Sequence, residues 1–412
     1  MAAALAAAAA VLVSLFDDDE DSTTCTLSMF QRYALASCHS PTLPVEMLPV
    51  ARRLRHYLLT NVLNANDHAS AVLVPAILAV GADCPCTYGD ILDAYLTGLE
   101  VIFRVGKAVN MGHYKLGWHT TSTIDGLGAA AAVSRLKGLD SDRVASALSL
   151  TVSMGAGMTS QFGTSAKPLH AGLSAKAGVL AATLAECGLT GNPAVLDGPV
   201  SFASLMVPEG EADFEAALSN LGQTWGIETY GLGAKVYPSC GYTHRSVDAA
   251  LALHGAMSSD DRANIQSVRV SIPDFHLAIL PYDVPNHPDE ALFSTAWCVA
   301  TALLKGHNRL EDFSANALSE PELRGLTQRV AVHGRRTKRP EINVDPDDPD
   351  TVEVTLSDGR VLTQSCGVWT GMPGADLDKA RFVEKFRACV DAAYPGTNGE
   401  LAVIPQRILE DA

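Results

Sequence analysis

Two segments of the chain combine helical periodicity with side chains that are almost all small. They are Asp125-Gly-Leu-Gly-Ala-Ala-Ala-Ala-Val and Ala171-Gly-Leu-Ser-Ala-Lys-Ala-Gly-Val-Leu-Ala-Ala. Because Gly, Ala and Ser lie on every face of these helices, neighbouring helix axes can approach closely and burial on most sides follows. The sequence therefore predicts that both helices lie at the centre of a large helical bundle.

Helical periodicity dominates the chain from Leu43 to Ala256. The predicted helices are Glu46–Leu63, Ala69–Val80, Tyr88–Arg104, Thr123–Leu136, Ser141–Met154 and Leu173–Cys187. Near residue 263 the hydrophobic period changes from 3.6 to 2, which is typical of strands. The predicted strands are Ile265–Ile272, Arg329–His333, Thr351–Leu356 and Val361–Gln364. Asp358-Gly359 supplies the positive-φ positions of a tight hairpin turn between the last two strands.

These patterns predict a mainly α protein with a large all-helical bundle domain and a smaller α+β lid domain. The bundle is assigned to residues 41–235 and 371–412, including a helix at Asp376–Ala393, and the lid to residues 236–370 with a buried helix at Ala291–Leu304. Residues 1–40 are interpreted as an N-terminal extension of doubtful structure, because their apolar start lacks the basic segment of a secretory signal.

The chain is acidic, with a formal net charge of −16 and 18% charged residues among 412. No stripe of Lys and Arg offsets that charge, so nucleic-acid binding is disfavoured, and the basic run from Arg335 to Arg339 is interpreted as a solvated loop. No segment reaches the ~18 apolar residues of a membrane helix. Nine cysteines scattered through apolar stretches favour a reducing, cytoplasmic compartment.

Three segments concentrate cations and proton carriers among small and hydroxyl-bearing residues. They are Gly117-Trp-His-Thr-Thr-Ser122, Gly163-Thr-Ser-Ala-Lys-Pro-Leu-His-Ala-Gly172 and Lys235-Val-Tyr-Pro-Ser-Cys-Gly-Tyr-Thr-His-Arg245. A single such residue on a surface turn is often only a solvated side chain, but three similar clusters weaken that reading. The first two lie in the predicted bundle and the third at the start of the strands, so a cleft between the domains is expected to bring them together.

Lys167, Lys235 and Arg245 would make such a cleft positive, which suits a small anion with several carboxylates. Histidines would act as acid and base, and lysines would stabilise the charge that develops when a carbon α to a carboxylate loses a proton. Signatures for dinucleotides, nucleoside phosphates and catalytic zinc are missing from the sequence, and Cys84-Pro-Cys86 has no second pair at zinc-ligand spacing. The sequence therefore predicts no cofactor and no metal.

Five ordered segments resemble the MmgE/PrpD family, which includes 2-methylcitrate dehydratase, cis-aconitate decarboxylase and iminodisuccinate epimerase. They are His68-Ala-Ser-Ala-Val-Leu-Val-Pro, Gly117-Trp-His-Thr-Thr, Lys167-Pro-Leu-His-Ala-Gly, Lys235-Val-Tyr-Pro-Ser-Cys-Gly-Tyr-Thr-His and Glu290-Ala-Leu-Phe-Ser. The resemblance covers about residues 43 to 400. It implies a homodimer that performs metal-free lyase or isomerase chemistry on a small polycarboxylate.

The resemblance also implies roles for individual residues. His68 and His119 would transfer protons or orient the substrate, and Lys167 and Lys235 would bind carboxylates and take part in proton transfer. Supporting roles in substrate binding are implied for His170, Tyr242, His244 and Tyr282. Dehydration of a 2-methylcitrate-like substrate is the first choice, with decarboxylation of the cis-aconitate type or epimerisation of the iminodisuccinate type as alternatives.

One part of the family pattern is missing from this sequence. Family members usually carry a long stretch that ends in an acidic Leu-Asp-x-Asp-Asp segment before the first histidine motif, whereas here Asn64-Ala-Asn-Asp67 leads directly into His68. Asp67 is a partial substitute at best. A non-catalytic homodimer that binds a carboxylate or a protein partner therefore remains a second hypothesis of another class.

Overall fold

The computed structural model describes residues 60–61, 67–375 and 379–393. The chain divides into two compact units: unit 1 contains Met1–Ser160, Ala166–Ala234 and Asp378–Ala412, and unit 2 contains Gln161–Ser165 and Lys235–Leu377. The N-terminal extension and most of the predicted helix Glu46–Leu63 lie outside the described residues. The described part of that helix, Thr60–Asn61, is a strand instead.

Unit 1 is mainly helical. Its elements in chain order are β1 (Thr60–Asn61), α1 (Ala69–Gly81), α2 (Tyr88–Lys115), α3 (Thr120–Thr123), α4 (Asp125–Leu136), α5 (Ser141–Val152), a 3₁₀ turn (Thr159–Gln161), α6 (Ala166–Glu186), α7 (Phe202–Met206), α8 (Phe214–Leu218), α9 (Gly226–Tyr230) and β2 (Gly233–Ala234). β1 and β2 pair antiparallel, so the expectation of an all-helical unit is wrong in this detail. α6 begins before the predicted Leu173, because Pro168 falls in the first turn, where a helix needs no N–H from it.

α4 is the centre of unit 1, as its small side chains predict. Every residue from Asp125 to Ser134 is buried, and the helix packs against α1, α2, α5 and α6. α2 crosses α4 at a pair of glycines, because a Cβ placed on Gly98 would lie 2.6 Å from the carbonyl oxygen of Gly128. The two backbones touch directly at this crossing, so larger residues would force the helices apart.

Unit 2 combines helices with a four-stranded sheet. Its elements are a 3₁₀ turn (Gly241–Thr243), α10 (His244–Ala256), α11 (Ser259–Ala263), β3 (Ile265–Pro273), α12 (Asp274–Ile279), α13 (Pro288–Ala291), α14 (Thr295–Lys305), a 3₁₀ turn (Leu310–Phe313), α15 (Ala315–Leu318), α16 (Pro321–Thr327), β4 (Val330–Arg335), β5 (Asp350–Leu356) and β6 (Val361–Cys366). The strand order is β4-β3-β5-β6. β3 and β4 are parallel, and the other two pairings are antiparallel.

The four predicted strands are confirmed, and so is the hairpin that joins β5 to β6. Gly359 has a φ of +88° in its turn, a conformation that glycine adopts without strain. Most of the predicted buried helix Ala291–Leu304 is confirmed as α14, but Ala291 ends α13 and a break separates the two helices. Ser294 causes the break, because its hydroxyl accepts the N–H of Trp297 and caps α14.

The basic run that was interpreted as a solvated loop is engaged in ion pairs. Arg335 donates to Asp348 at 3.0 Å, and Arg339 pairs with Asp345 and with Asp347 at 2.6 Å, so the acidic turn that follows neutralises it. After unit 2 the chain returns to unit 1 with α17 (Lys379–Ala393). None of the helices in the described part of the chain has the length and apolar character needed to cross a membrane.

The glycine crossing predicts a stability difference between two glycine-to-alanine variants. Gly128→Ala should lower the free energy of unfolding by about 1–3 kcal/mol, because the new methyl group overlaps the Gly98 backbone. Gly255→Ala in α10 is the matched control, since nothing lies within 4 Å of its Cβ position; it should gain up to about 1 kcal/mol. Urea unfolding of both variants measures the difference, and equal stabilities would contradict the close crossing.

Candidate active site

The start of α1 positions the first predicted site residue, His68. Its backbone N–H donates to Oδ2 of Asp125 at 3.3 Å, which ties the start of α1 to the start of α4. Its imidazole Nδ1 lies 2.9 Å from the hydroxyl oxygen of Thr121. Thr121 and Asp125 both follow His119 closely in the chain, and the rings of His68 and His119 are edge to face with centroids 6.3 Å apart. The structure thus brings two of the predicted catalytic residues together.

His119 and His170 form a second pair. Their Nδ1 atoms lie 2.9 Å apart, and a hydrogen bond at this distance requires one Nδ1 to carry a proton and the other to accept it. Burial lowers the pKa of His170, and the nearby ammonium of Lys167 lowers it further. His170 is therefore favoured in its neutral form, and the bond between the two Nδ1 atoms forms with the proton on either ring.

Lys167 lies on the first turn of α6, one turn before His170, and is 5% exposed. Residues three apart on a helix are neighbours on its surface, so the ammonium of Lys167 acts on His170 and lowers its pKa. A buried ammonium beside imidazoles makes this part of unit 1 attractive to a carboxylate. Four predicted site residues, His68, His119, Lys167 and His170, thus occupy one region of unit 1.

His113 also supports this region, although no sequence motif pointed to it. Its Nδ1 lies 2.9 Å from the carbonyl oxygen of Met206, so Nδ1 must carry the proton, and Nε2 accepts from the hydroxyl of Thr123 at 2.8 Å. Burial lowers the pKa of His113 to about 4. This neutral ring fixes α3, the short helix that follows His119.

Two buried carboxyl groups lie beside His68. Asp67 and Asp125 are 1% and 0% exposed. Burial raises the pKa of Asp67 well above its usual range, and the N–H of Ala69 opposes this without reaching hydrogen-bonding geometry. Burial also raises the pKa of Asp125, and the charge of Asp67 raises it further. The sequence motifs give no signal for Asp125, because it resembles an ordinary acidic residue in the first turn of a helix.

The third predicted cluster lies in unit 2 and is buried instead of open to solvent. Lys235 is 2% exposed and Arg245 is also 2% exposed. The expectation that Arg245 adds positive charge for an anion is wrong, because its guanidinium donates to Asp350 at 2.6 Å and to the carbonyl oxygens of Asp345 and Asp348. Burial still raises the pKa of Asp350 to about 6, against the effect of Arg245. Arg245 is a structural residue that anchors α10 to β5.

The aromatic residues predicted for substrate binding are packed into unit 2. Tyr242 stacks on His276 with ring centroids 3.9 Å apart. His244 meets Tyr237 and Trp369 edge to face, at 5.1 and 5.7 Å. Both predicted residues are buried, at 8% and 0% exposure, so packing explains their positions directly.

Tyr282 contacts the short segment of unit 2 that contains Gly163. Its hydroxyl donates to the carbonyl oxygen of Phe162 at 3.1 Å, and any Cβ at Gly163 would collide with its ring. Burial and the nearby carboxylate of Glu290 raise the pKa of Tyr282. The phenol therefore stays protonated and can donate a hydrogen bond.

Comparison with protein families agrees with the five motifs. Residues 62–215 match the MmgE/PrpD N-terminal domain, and residues 237–410 match the MmgE/PrpD C-terminal domain. The chain belongs to the MmgE/PrpD family. The resemblance predicted from the sequence is confirmed.

Curated relatives include cis-aconitate decarboxylases of mammals and a fungus. The Mus musculus enzyme is 27% identical over 338 residues, which cover 78% of this chain and 66% of the relative. The Homo sapiens enzyme is 27% identical over 332 residues, covering 78% and 67%. The Aspergillus terreus enzyme is 25% identical over 347 residues, covering 78% and 69%. The chain thus spans about two thirds of the length of these relatives.

The two raised carboxyl pKa values predict an unusual dependence of stability on pH. At low pH Asp67 and Asp125 are protonated in both the folded and the unfolded chain. As the pH rises past the usual Asp range, the unfolded chain releases these protons first, so the free energy of unfolding falls until the folded carboxyls also ionise. Asp67→Asn removes one of the two carboxyl groups that cause this fall in the free energy of unfolding. We therefore expect the variant to be more stable than wild type at neutral pH.

The pH series is measured by urea unfolding from mildly acidic to mildly alkaline solution. Asp83→Asn serves as the control because Asp83 is exposed. A wild-type stability that rises with pH, or an equal pH slope in the Asp67 and Asp83 variants, would contradict the buried pair.

Proposed function

We propose that this protein is a lyase that removes CO₂ from a small unsaturated tricarboxylate of the cis-aconitate type. The observation that carries the proposal is the grouping of His68, His119 and His170 beside the buried Lys167. Its relatives named as cis-aconitate decarboxylases support the same reaction.

The reaction has a simple proton balance. When the carboxylate on the saturated CH₂ carbon leaves as CO₂, its electron pair moves through the C=C bond to the carbon α to another carboxylate. That carbon then takes one proton, and an unsaturated dicarboxylate is released. The enzyme must therefore stabilise a transient enolate-like anion and supply one proton per turnover.

The residues in unit 1 suit these two tasks. His119, which is hydrogen-bonded through Nδ1 to His170, can deliver a proton, and His68 lies beside it as a second proton carrier. Lys167 supplies positive charge for a carboxylate. In unit 2, the family resemblance assigns Lys235 to carboxylate binding and Tyr282 to substrate binding, and both assignments stay predictions.

Two of the three other functional hypotheses are less well supported than decarboxylation. Dehydration of a 2-methylcitrate-like substrate, the first choice from the sequence, uses the same proton-transfer groups, but the relatives named above favour decarboxylation. Epimerisation remains a further alternative for the same groups. A homodimer without catalytic activity is the hypothesis of another class, and the buried, hydrogen-bonded histidine pair favours catalysis over it.

Incubation of the purified protein in D₂O separates these readings. Separate samples receive cis-aconitate, 2-methylcitrate and iminodisuccinate, and NMR follows the products. We expect loss of CO₂ from cis-aconitate and one deuterium at the carbon α to a carboxylate of the product. Water loss from 2-methylcitrate would favour the dehydratase instead, and saturable binding without deuterium uptake into any compound would favour the non-catalytic protein.

Substitution of one cation and one proton carrier tests the assigned roles. Lys235→Ala and His119→Ala should each lower kcat/KM for the decarboxylation by about 10²-fold or more, since each removes a group that acts on the developing charge. Lys338→Ala and His333→Asn are the controls, because both residues are exposed. Circular dichroism checks that all four variants fold. Full rates in both site variants would show that the assignment is wrong.

A further inference from the structure

The buried carboxyl pair of Asp67 and Asp125 has a feature that ordinary buried acids lack. Both oxygens of Asp67 and Oδ1 of Asp125 are buried without a hydrogen-bond partner among the described residues. Asp125 Oδ2 accepts the backbone N–H of His68. Each buried polar atom without a hydrogen-bond partner destabilises the folded state by about 1–3 kcal/mol. A proton on one of these oxygens would allow a hydrogen bond that relieves this destabilisation.

A proton bound to one carboxyl group resolves this cost. It converts one acceptor into a donor, and a carboxylic acid next to a carboxylate can bond to it. Two ionised carboxylates side by side in a buried place repel each other, which is why such pairs retain one proton. Asp67 and Asp125 lie close together, because Asp125 accepts the backbone N–H of His68, the residue that follows Asp67. The charge of Asp67 accordingly raises the pKa of Asp125.

The remaining negative charge lies next to the proton-transferring groups of unit 1. Asp125 contacts the backbone of His68 directly, and the ring of His68 is followed by that of His119. The other charged or titratable groups of this region are Lys167 and His170 on α6 and His113 on α2. Lys167 opposes protonation of the imidazoles, whereas the carboxyl pair favours it.

We propose that Asp67 and Asp125 hold one proton between them at neutral pH and act as positioning residues, whose single negative charge keeps His68 and His119 protonated for transfer to the substrate. Asp125 also fixes the start of α1 through the His68 N–H. The part of this inference that concerns substrate rests on the proposed decarboxylation, whereas the shared proton does not.

Infrared spectroscopy tests the shared proton without any activity. At about pH 8, where ordinary Asp and Glu side chains are ionised, the wild-type protein should show the carbonyl band of a protonated carboxylic acid. Asp67→Asn should lose or weaken this band, because it removes the charge that raises the pKa of Asp125 and leaves the His68 N–H to stabilise the Asp125 carboxylate. The exposed control Asp83→Asn should keep the band. A wild-type protein without the band, or a band that survives in the double variant Asp67→Asn/Asp125→Asn, would overturn the proposal.

The pH profile of kcat/KM for decarboxylation of cis-aconitate tests the effect on the histidines. Removing the negative charge in the double variant should move the alkaline limb of the profile to lower pH by about one unit, while Asp83→Asn leaves it in place. A role in packing alone would lower the rate without moving the limb, and that result would overturn the positioning role.

The two experiments fail independently. A protein that shows the infrared band but never converts cis-aconitate retains the shared proton and rejects the proposed function. A protein that converts cis-aconitate but shows no band rejects the shared proton and leaves the proposed function intact. If the double variant does not fold, the infrared spectra of wild type and Asp67→Asn decide.

Discussion

The crossing of α2 and α4 at Gly98 and Gly128 is the contact on which the rest of unit 1 depends. α4 begins at Asp125, one turn before Gly128, so the depth at which the two helices meet also sets the depth of this carboxyl group. Asp125 in turn holds the backbone of His68 at the start of α1. The small residues at the crossing therefore affect the candidate site indirectly, because the helix positions that they allow determine where its polar groups are buried.

Buried carboxyl groups have different surroundings in the two units. In unit 2 the carboxylate of Asp350 receives the guanidinium of Arg245, and both side chains are almost fully buried. Replacing either partner alone would leave a buried charge uncompensated, which is typical of a structural ion pair. In unit 1 no cation bridges Asp67 and Asp125 among the described residues. Buried carboxyl groups without a neighbouring cation have raised pKa values, and such groups are typical of sites that transfer protons.

Local patterns in the sequence predicted the elements better than the site. Alternation and the Asp358-Gly359 turn were sufficient for β5 and β6, and the small residues of α4 predicted its burial. A turn motif rich in Pro, Ser and Gly indicates a bend but not its depth, so the burial of Arg245 was missed.

The site contacts that the sequence did not predict join residues that are far apart in the chain. His119 and His170 are separated by 51 residues, and Asp125 meets His68 across 57. No periodicity or spacing encodes such approaches. The family resemblance supplied the histidines and lysines by motif, but a residue outside the motifs, such as Asp125 or His113, becomes visible only when the helices are packed.

The contact between Nδ1 of His119 and Nδ1 of His170 limits how much charge the rings can carry. If both imidazoles were cationic, each would direct an N–H at the other across 2.9 Å. The second proton would therefore bind only in much more acidic solution, so the pair carries at most one positive charge near neutral pH. An anion that binds beside the pair would then meet one cationic imidazole and one neutral imidazole.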